Sequence, residues 1–284
     1  MMEFVPIKFD AASLAEYSAL FAACFPDGSR FTTDYLAWLY LGNPDGRAFG
    51  FDAREGGQVA AHYVCVPAMV RIDGEPVRVL LSLNTATHPQ FQGKGLFTKL
   101  AAMTYEAAAA QGFAAVYGVA NANSTPGFVR KLGFQLVRPL DALVGVGPVG
   151  AAPDRQARPP AFERVWTEVA LDWRCASPYN RVLCRRRGQT LQFHAPAMGR
   201  LVHAYAQLPL PDGISPAPGG APLSPLRLYL GLMPDHLRAT GSYVSIPGRL
   251  RPSPLNLIFR SLSVPGKQLD PTLINFSFLD FDAY

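Results

Sequence analysis

The residues best suited to chemistry are two glycines, Gly93 and Gly95, that stand between two predicted elements. Residues 77–87 are apolar and rich in β-branched side chains, which predicts a strand. Residues 97–110 are rich in alanine, which predicts a helix. A glycine turn between a strand and a helix leaves backbone N–H groups without partners at the positive end of the helix dipole. Such a turn forms a cradle for a pyrophosphate group, although an ordinary strand-to-helix turn has the same spacing.

The spacing of these glycines can be compared with the signatures of two classes of nucleotide-binding protein. The dinucleotide fingerprint requires a third glycine, and this chain has Thr98 at that position. The run Gln92-Gly93-Lys94-Gly95-Leu96-Phe97 instead resembles the Gln-x-x-Gly-x-(Gly/Ala) signature of the GCN5-related N-acetyltransferases (GNAT). Only Phe97 departs from that signature, since the family has Gly or Ala there.

A second segment resembles the same family. It runs over residues 117–128 and on to Lys131-Leu132-Gly133-Phe134. In the family, a strand here delivers an Asn, and the short helix that follows ends in Lys-Leu-Gly-Phe. The two motifs occur in the family's order, separated by one helix and one strand, and the resemblance covers about residues 30–145. The chain is identified as similar to GNAT proteins of the tandem type.

The resemblance implies an α/β fold with a mixed, splayed central sheet flanked by helices, and an acetyl-CoA (coenzyme A) cofactor. The glycine turn would hold the pyrophosphate. The strand before it would offer its splayed edge to the pantetheine amides, and a backbone N–H of Ala86 or Thr87 would face the thioester oxygen. The predicted cofactor-binding residues are Thr85, Ala86, Thr87, Gln92, Gly93, Lys94, Gly95, Leu96, Phe97, Thr98, Asn123 and Phe128, with Asn121 as the alternative to Asn123.

The general acid and general base are not identified by the sequence. Many members of the family carry a Tyr acid in the helix before Lys-Leu-Gly-Phe, but this chain has no Tyr at residues 128–130. Tyr117 is close in sequence, yet a structural role in a strand accounts for it equally well. Asn84 could bind a water, or it could be a polar residue of the sheet whose hydrogen bonds are satisfied within the protein. The tail offers Asp282 or the carboxylate of Tyr284, or it is a frayed terminal strand.

The second half looks like a degenerate copy of the first. Residues 1–146 form the predicted acetyl-CoA-binding domain, 147–160 a linker rich in Gly, Pro and Ala, and 161–284 a GNAT-like second domain. The segments around Trp38 and Trp173 are similar, because each is a short predicted helix with an aromatic residue that runs into a proline. No glycine signature follows the second segment, so this domain is expected to shape the acceptor pocket.

Composition narrows the possible partners. The net charge of +5 is spread along the chain, which does not favour nucleic-acid binding, and Arg185 to Arg187 is interpreted as a solvated turn or as help in holding phosphates. The four cysteines and five histidines lack metal-ligand spacing, so no metal is expected. No long apolar run or leader is present, which predicts a cytoplasmic protein without a membrane partner, and a homodimer is possible.

These observations predict an N-acetyltransferase that moves an acetyl or short acyl group from coenzyme A to a primary amine. The acceptor would be a small molecule or an amino sugar, attacking directly in a ternary complex. The alternative is a non-catalytic acyl-CoA-binding sensor or scaffold. A third possibility, an aminoacyl transferase that uses charged tRNA, requires a basic groove and a helical arm, neither of which the sequence clearly shows.

Overall fold

The computed structural model describes residues 1–150, 158–198, 201–210, 224–238, 241–248 and 253–282. Two compact units are present, and each is assembled from separate stretches of the chain. The first comprises Met1–Met69, Val77–Leu136 and Ile258–Gln268. The second comprises Val70–Pro76, Val137–Leu257 and Leu269–Tyr284. Part of the predicted linker, residues 151–157, lies outside the described residues.

The first half of the chain forms the elements that the sequence predicts, with slightly longer bounds. They are β1 (Met2–Pro6), α1 (Ala11–Cys24), α2 (Thr33–Leu41), β2 (Phe49–Glu55), β3 (Gln58–Ile72), β4 (Glu75–Thr87), α3 (Leu96–Ala110), β5 (Ala115–Ala120) and β6 (Gln135–Pro139). Side chains fix two of the helix starts. Asp10 accepts a hydrogen bond from the Ser13 N–H at 3.0 Å, and Thr32 accepts one from the Tyr35 N–H at 3.2 Å.

In the second half, the described residues form one α-helix and several short strands. They are β7 (Asp141–Gly145), β8 (Phe162–Arg164), α4 (Glu168–Cys175), β9 (Leu183–Arg187), β10 (Thr190–Met198), β11 (Val202–Pro209), β12 (Arg227–Gly231), β13 (Tyr243–Ser245) and β14 (Asn256–Ser261). Like α2, α4 begins at a threonine cap, because Thr167 accepts a hydrogen bond from the Ala170 N–H at 3.2 Å. The likeness of the Trp38 and Trp173 segments as a repeat stays a prediction.

The sheet of the first unit has the strand order β1-β2-β3-β4-β5-β14-β6. The strand β14 comes from late in the sequence but pairs between β5 and β6. Ile258 of this strand is buried in the same apolar core as Leu100, Val116 and Phe134. A strand from beyond residue 250 therefore completes the sheet that carries the glycine turn.

The second unit has its own sheet, in the order β13-β7-β12-β11-β10-β9, and a small core that includes Leu143 and Tyr205. Two details differ from the expected local structure. The basic run Arg185 to Arg187 lies exposed on strand β9 at the edge of this sheet, and the turn follows at Gly188. The final apolar segment is a short 3₁₀ helix, Phe278–Asp280, because Ser277 and Asp280 form a reciprocal capping box.

No helix among the described residues is long and apolar enough to cross a membrane.

Candidate active site

The glycine turn has the geometry of an open anion cradle. Gly93 and Gly95 adopt φ of 78° and 71°, and a Cβ placed on either would meet no atom within 4 Å. The Lys99 N–H donates to the Gly95 carbonyl at 3.1 Å, which is the first bond of α3. The N–H groups of the preceding residues in this first turn therefore have no carbonyl of the helix to bind, and Gly95 has no side chain to cap them. The left-handed backbone explains the need for glycine, and the open space allows a phosphate to approach.

Polar and basic side chains surround this turn. Gln92, Lys94 and Lys99 are exposed, and Thr98 is half-buried in the first turn of α3. The Lys94 Nζ lies 3.9 Å from Glu55 Oε2, and the Lys99 Nζ lies 3.6 Å from the centre of the Phe4 ring. Neither contact removes its ammonium group from solvent, so both charges remain available to an anion at the start of α3.

The two central parallel strands separate beside this turn. The paired register of β4 and β5 runs from Val79 opposite Ala115 to Ser82 opposite Gly118. Beyond that pair β4 continues to Thr87 and β5 to Ala120. The predicted pantetheine residues Thr85, Ala86 and Thr87 fall in this extension of β4, which is not paired with β5; Ala86 is buried there and the two threonines are half-buried.

The start of this extension has an unusual backbone. Asn84 adopts a φ of 46°, a left-handed conformation that few residues other than Gly, Asn and Asp tolerate. Such backbone strain clusters at binding and catalytic sites, and here it marks the place where the two strands part. This conformation was not predictable, because Asn is also compatible with an ordinary sheet position.

The second motif supplies a turn after β5. Asn121 uses its Oδ1 locally and accepts the N–H groups of Asn123 and Ser124, each at 3.0 Å. Asn123 is exposed and its side chain makes no hydrogen bond within the described residues. The turn leads into a π-helical segment, Gly127–Lys131. Asn121 therefore shapes the turn, and Asn123 is the asparagine whose amide is free to bind a ligand.

Three of the predicted site residues have side chains in or against the core. Leu96 and Phe128 are buried in the core of the first unit. Phe97 packs against Phe128, with ring centres 5.2 Å apart. A Cβ on Gly127 would lie 3.1 Å from Phe97 Cε1. The absence of a side chain at Gly127 thus makes room for the phenyl ring that departs from the glycine signature.

The thiols are not activated as nucleophiles. All four cysteines are free. Burial raises the pKa of Cys65 and Cys184 to about 12 and that of Cys175 to about 11. Burial also raises the pKa of Cys24, whose Sγ donates to the Thr87 carbonyl at 3.4 Å. A thiol is nucleophilic as its thiolate, so these environments disfavour a covalent acyl-cysteine step.

The other acid–base candidates, Tyr117, Asp282 and Tyr284, lie in different parts of the chain. Tyr117 is buried within β5, in keeping with a structural role. Asp282 is half-buried at the end of the described chain, and Tyr284 lies outside the described residues. The second unit also encloses a cavity of about 540 Å³, lined by side chains that include Glu163, Trp166 and Tyr229.

Comparison with known protein families finds a match in the first half of the chain. Residues 7–137 match the family model of an acetyltransferase (GNAT) domain. This stretch is therefore a GNAT acetyltransferase domain. Acetyl-CoA is the cofactor of this family, and the open glycine turn beside splayed strands fits it. The comparison with curated proteins finds no match.

Three solved structures resemble the chain over both halves. A probable N-acyltransferase from Enterococcus faecalis has a TM-score of 0.60 at 11% identity, covering 93% of this chain and 73% of its own. A GCN5-related N-acetyltransferase from Anabaena variabilis has a TM-score of 0.58 at 11% identity, covering 92% and 73%. Eis1 from Mycobacterium abscessus has a TM-score of 0.54 at 11% identity, covering 92% and 74%. These similarities confirm the predicted GNAT fold, and their extent supports two tandem units.

Proposed function

We propose that this GNAT protein transfers an acetyl or short acyl group from coenzyme A to a primary amine of a small molecule or an amino sugar. The observation that carries the proposal is the coincidence of two features in one unit. An open glycine turn starts α3, and the adjoining strands β4 and β5 part after Ser82 and Gly118. A phosphate cradle alone is compatible with many ligands, whereas a cradle beside a free strand edge fits a phosphate joined to a chain of amides.

Each part of the first unit has a task in this proposal. The N–H groups at Gly93 to Thr98 hold the pyrophosphate, and Lys94 and Lys99 add positive charge. The free edge of Thr85 to Thr87 pairs with the pantetheine amides, and Asn123 adds an amide from the turn after β5. When bound, acetyl-CoA supplies the activated acetyl group. A backbone N–H of Ala86 or Thr87 faces the acyl oxygen.

Direct attack by the amine is favoured over a covalent enzyme intermediate. The raised pKa values of the cysteines leave no thiolate to accept the acyl group. The acceptor pocket is assigned to residues 161–284, the proposed degenerate GNAT-like domain that follows a linker at 147–160. The cavity in that unit is the candidate space for the body of the acceptor.

A thiol-release assay tests the proposal. Purified protein is incubated with acetyl-CoA and a panel of primary amines that includes amino sugars and diamines. We expect amine-dependent release of free coenzyme A and an acetylated product of matching mass. Binding of acetyl-CoA without release for any amine would support the alternative, a non-catalytic acyl-CoA-binding module.

A further inference from the structure

A chain of hydrogen bonds runs from the buried face of the first unit to the point where β4 and β5 part. Asp52 on β2 lies directly opposite His62 on β3. The Asp52 Oδ1 is 2.7 Å from His62 Nδ1, and His62 Nε2 is 3.3 Å from the Tyr40 hydroxyl. The Asn84 Nδ2 lies 3.4 Å from the same hydroxyl. Asp52, His62 and Tyr40 are buried, and Asn84 is half-buried, so the chain leads outward.

The hydrogen bonds can be followed from the buried end. Tyr17 accepts the Lys8 N–H at 3.0 Å and donates its own proton to Asp52 Oδ2 at 2.7 Å. His62 bridges the other oxygen of Asp52 and the Tyr40 hydroxyl through its two ring nitrogens. Asn84 presents its NH₂ group to that hydroxyl, whose oxygen accepts the hydrogen bond. The buried network thereby holds the Asn84 amide in one orientation.

This orientation leaves one acceptor atom open. With Nδ2 directed at Tyr40, the carbonyl oxygen Oδ1 of Asn84 points away from the hydroxyl. Within the described chain that oxygen makes no hydrogen bond, and it is not fully buried. The left-handed backbone of Asn84 places the side chain at the start of the extension of β4 that is not paired with β5. The strained backbone and the hydrogen bond to Tyr40 therefore converge independently on one amide.

We propose that Asn84 binds the acceptor amine, with its Oδ1 accepting an N–H of that amine, and that Asp52, His62 and Tyr40 are positioning residues that hold the amide in this orientation. The inference rests on the proposed function, since it needs an amine to reach the splayed strands. Asn84 would then contribute to the choice of acceptor, favouring groups that donate a hydrogen bond over thiols and ethers.

The test combines two single variants and their double variant. Asn84→Gly removes the side chain but keeps the left-handed backbone accessible, so its folding is protected. We expect kcat/KM for the fastest amine of the panel to fall by about tenfold, through KM more than kcat, because one hydrogen bond is lost. Tyr40→Phe should lower the same quantity by about threefold. In the double variant Tyr40→Phe should add nothing, because the amide it orients is gone.

The controls separate this reading from a general loss of structure. The affinity for coenzyme A, measured by calorimetry, should remain within about twofold of the wild type in all three variants. Tyr105→Phe removes another buried hydroxyl of the same unit, one hydrogen-bonded to Tyr63, and should leave kcat/KM unchanged. Independent, additive effects of Tyr40→Phe and Asn84→Gly would overturn the inference, as would an Asn84→Gly protein with wild-type amine kinetics. A wild-type protein that acetylates no amine would remove the proposed function and this inference together.

Discussion

Substituting Gly95 tests the phosphate cradle in isolation from the fold. A Cβ at this position meets no atom within 4 Å, so Gly95→Asp introduces no steric clash. The positive φ of 71° costs about 1 kcal/mol for a residue with a side chain. The carboxylate recovers about 0.3–1 kcal/mol by lying at the positive end of the α3 dipole. The variant should therefore unfold within a few degrees of the wild type.

The effect on cofactor binding should be much larger. The new carboxylate would occupy the space in which the pyrophosphate is proposed to bind. Two like charges about 4 Å apart near a protein surface repel by about 4 kcal/mol, which corresponds to about a thousandfold in Kd. In the wild type, acetyl-CoA at about a hundred times its Kd adds about 2.7 kcal/mol of stability. At about 2–4 °C per kcal/mol, this amounts to a rise in Tm of about 5–11 °C.

The assay is a thermal unfolding scan of each protein with and without acetyl-CoA, and α3 itself provides the control. Gly112, just past the other end of this helix, also has a positive φ (79°) and open space around its Cβ position. Gly112→Asp should lower Tm more than Gly95→Asp, since its charge is at the negative end of the dipole, but it should keep the ligand-induced rise. A Gly95→Asp protein that keeps the full rise in Tm, or an equal loss of that rise in both variants, would refute the phosphate cradle.

Three further predictions concern other parts of the chain. Asn123→Ala should weaken coenzyme A binding by about 1–2 kcal/mol in calorimetry. Asn121→Ala should instead lower the free energy of unfolding by about 1 kcal/mol, because Asn121 caps the turn. The reverse pattern would mean that Asn121 is the ligand-binding residue. A protein truncated at Gly150 lacks Ile258–Ser261 of the first sheet, and its circular dichroism should show no cooperative unfolding; a folded fragment that binds coenzyme A would contradict this. Burial lowers the pKa of His194 to about 4. The free energy of unfolding should therefore fall by about 2 kcal/mol from pH 7.5 to 5, as the unfolded chain takes up a proton at His194. In urea titrations at each pH, His194→Leu should flatten this dependence of stability on pH; an unchanged dependence would rule out His194 as its source.

The local elements and the cofactor motifs were predictable because they depend on neighbouring residues. The glycine turn, the helix α3 and the parallel strands follow from periodicity and from residues such as Gly95, whose positive φ matches its need for glycine. The end of pairing at Ser82 and Gly118 agrees with the splayed edge that the family resemblance implies. The placement of the individual cofactor-binding residues remains a prediction, although the structure brings them together in one unit.

The features that the sequence did not reveal depend on long-range pairing. Nothing in the composition of residues 256–261 shows that this strand pairs between β5 and β6, more than a hundred residues away in the chain. The left-handed Asn84 and its connection to Asp52 through His62 and Tyr40 require three strands and a helix to be in place. The basic run at Arg185 to Arg187 resembled a turn because its side chains are polar, but charged residues also protect an exposed sheet edge from association.

The proposed activity of the first unit is to bind acetyl-CoA and pass its acetyl group to an amine. The most direct measurement follows thiol release from acetyl-CoA by the full-length protein against the amine panel, with the product identified by mass spectrometry and Gly95→Asp as the matched inactive protein. We expect amine-dependent release by the wild type, an acetylated amine as the product, and a background rate for the variant. Equal rates for the two proteins, or tight binding of acetyl-CoA without acetylation of any amine, would contradict this account.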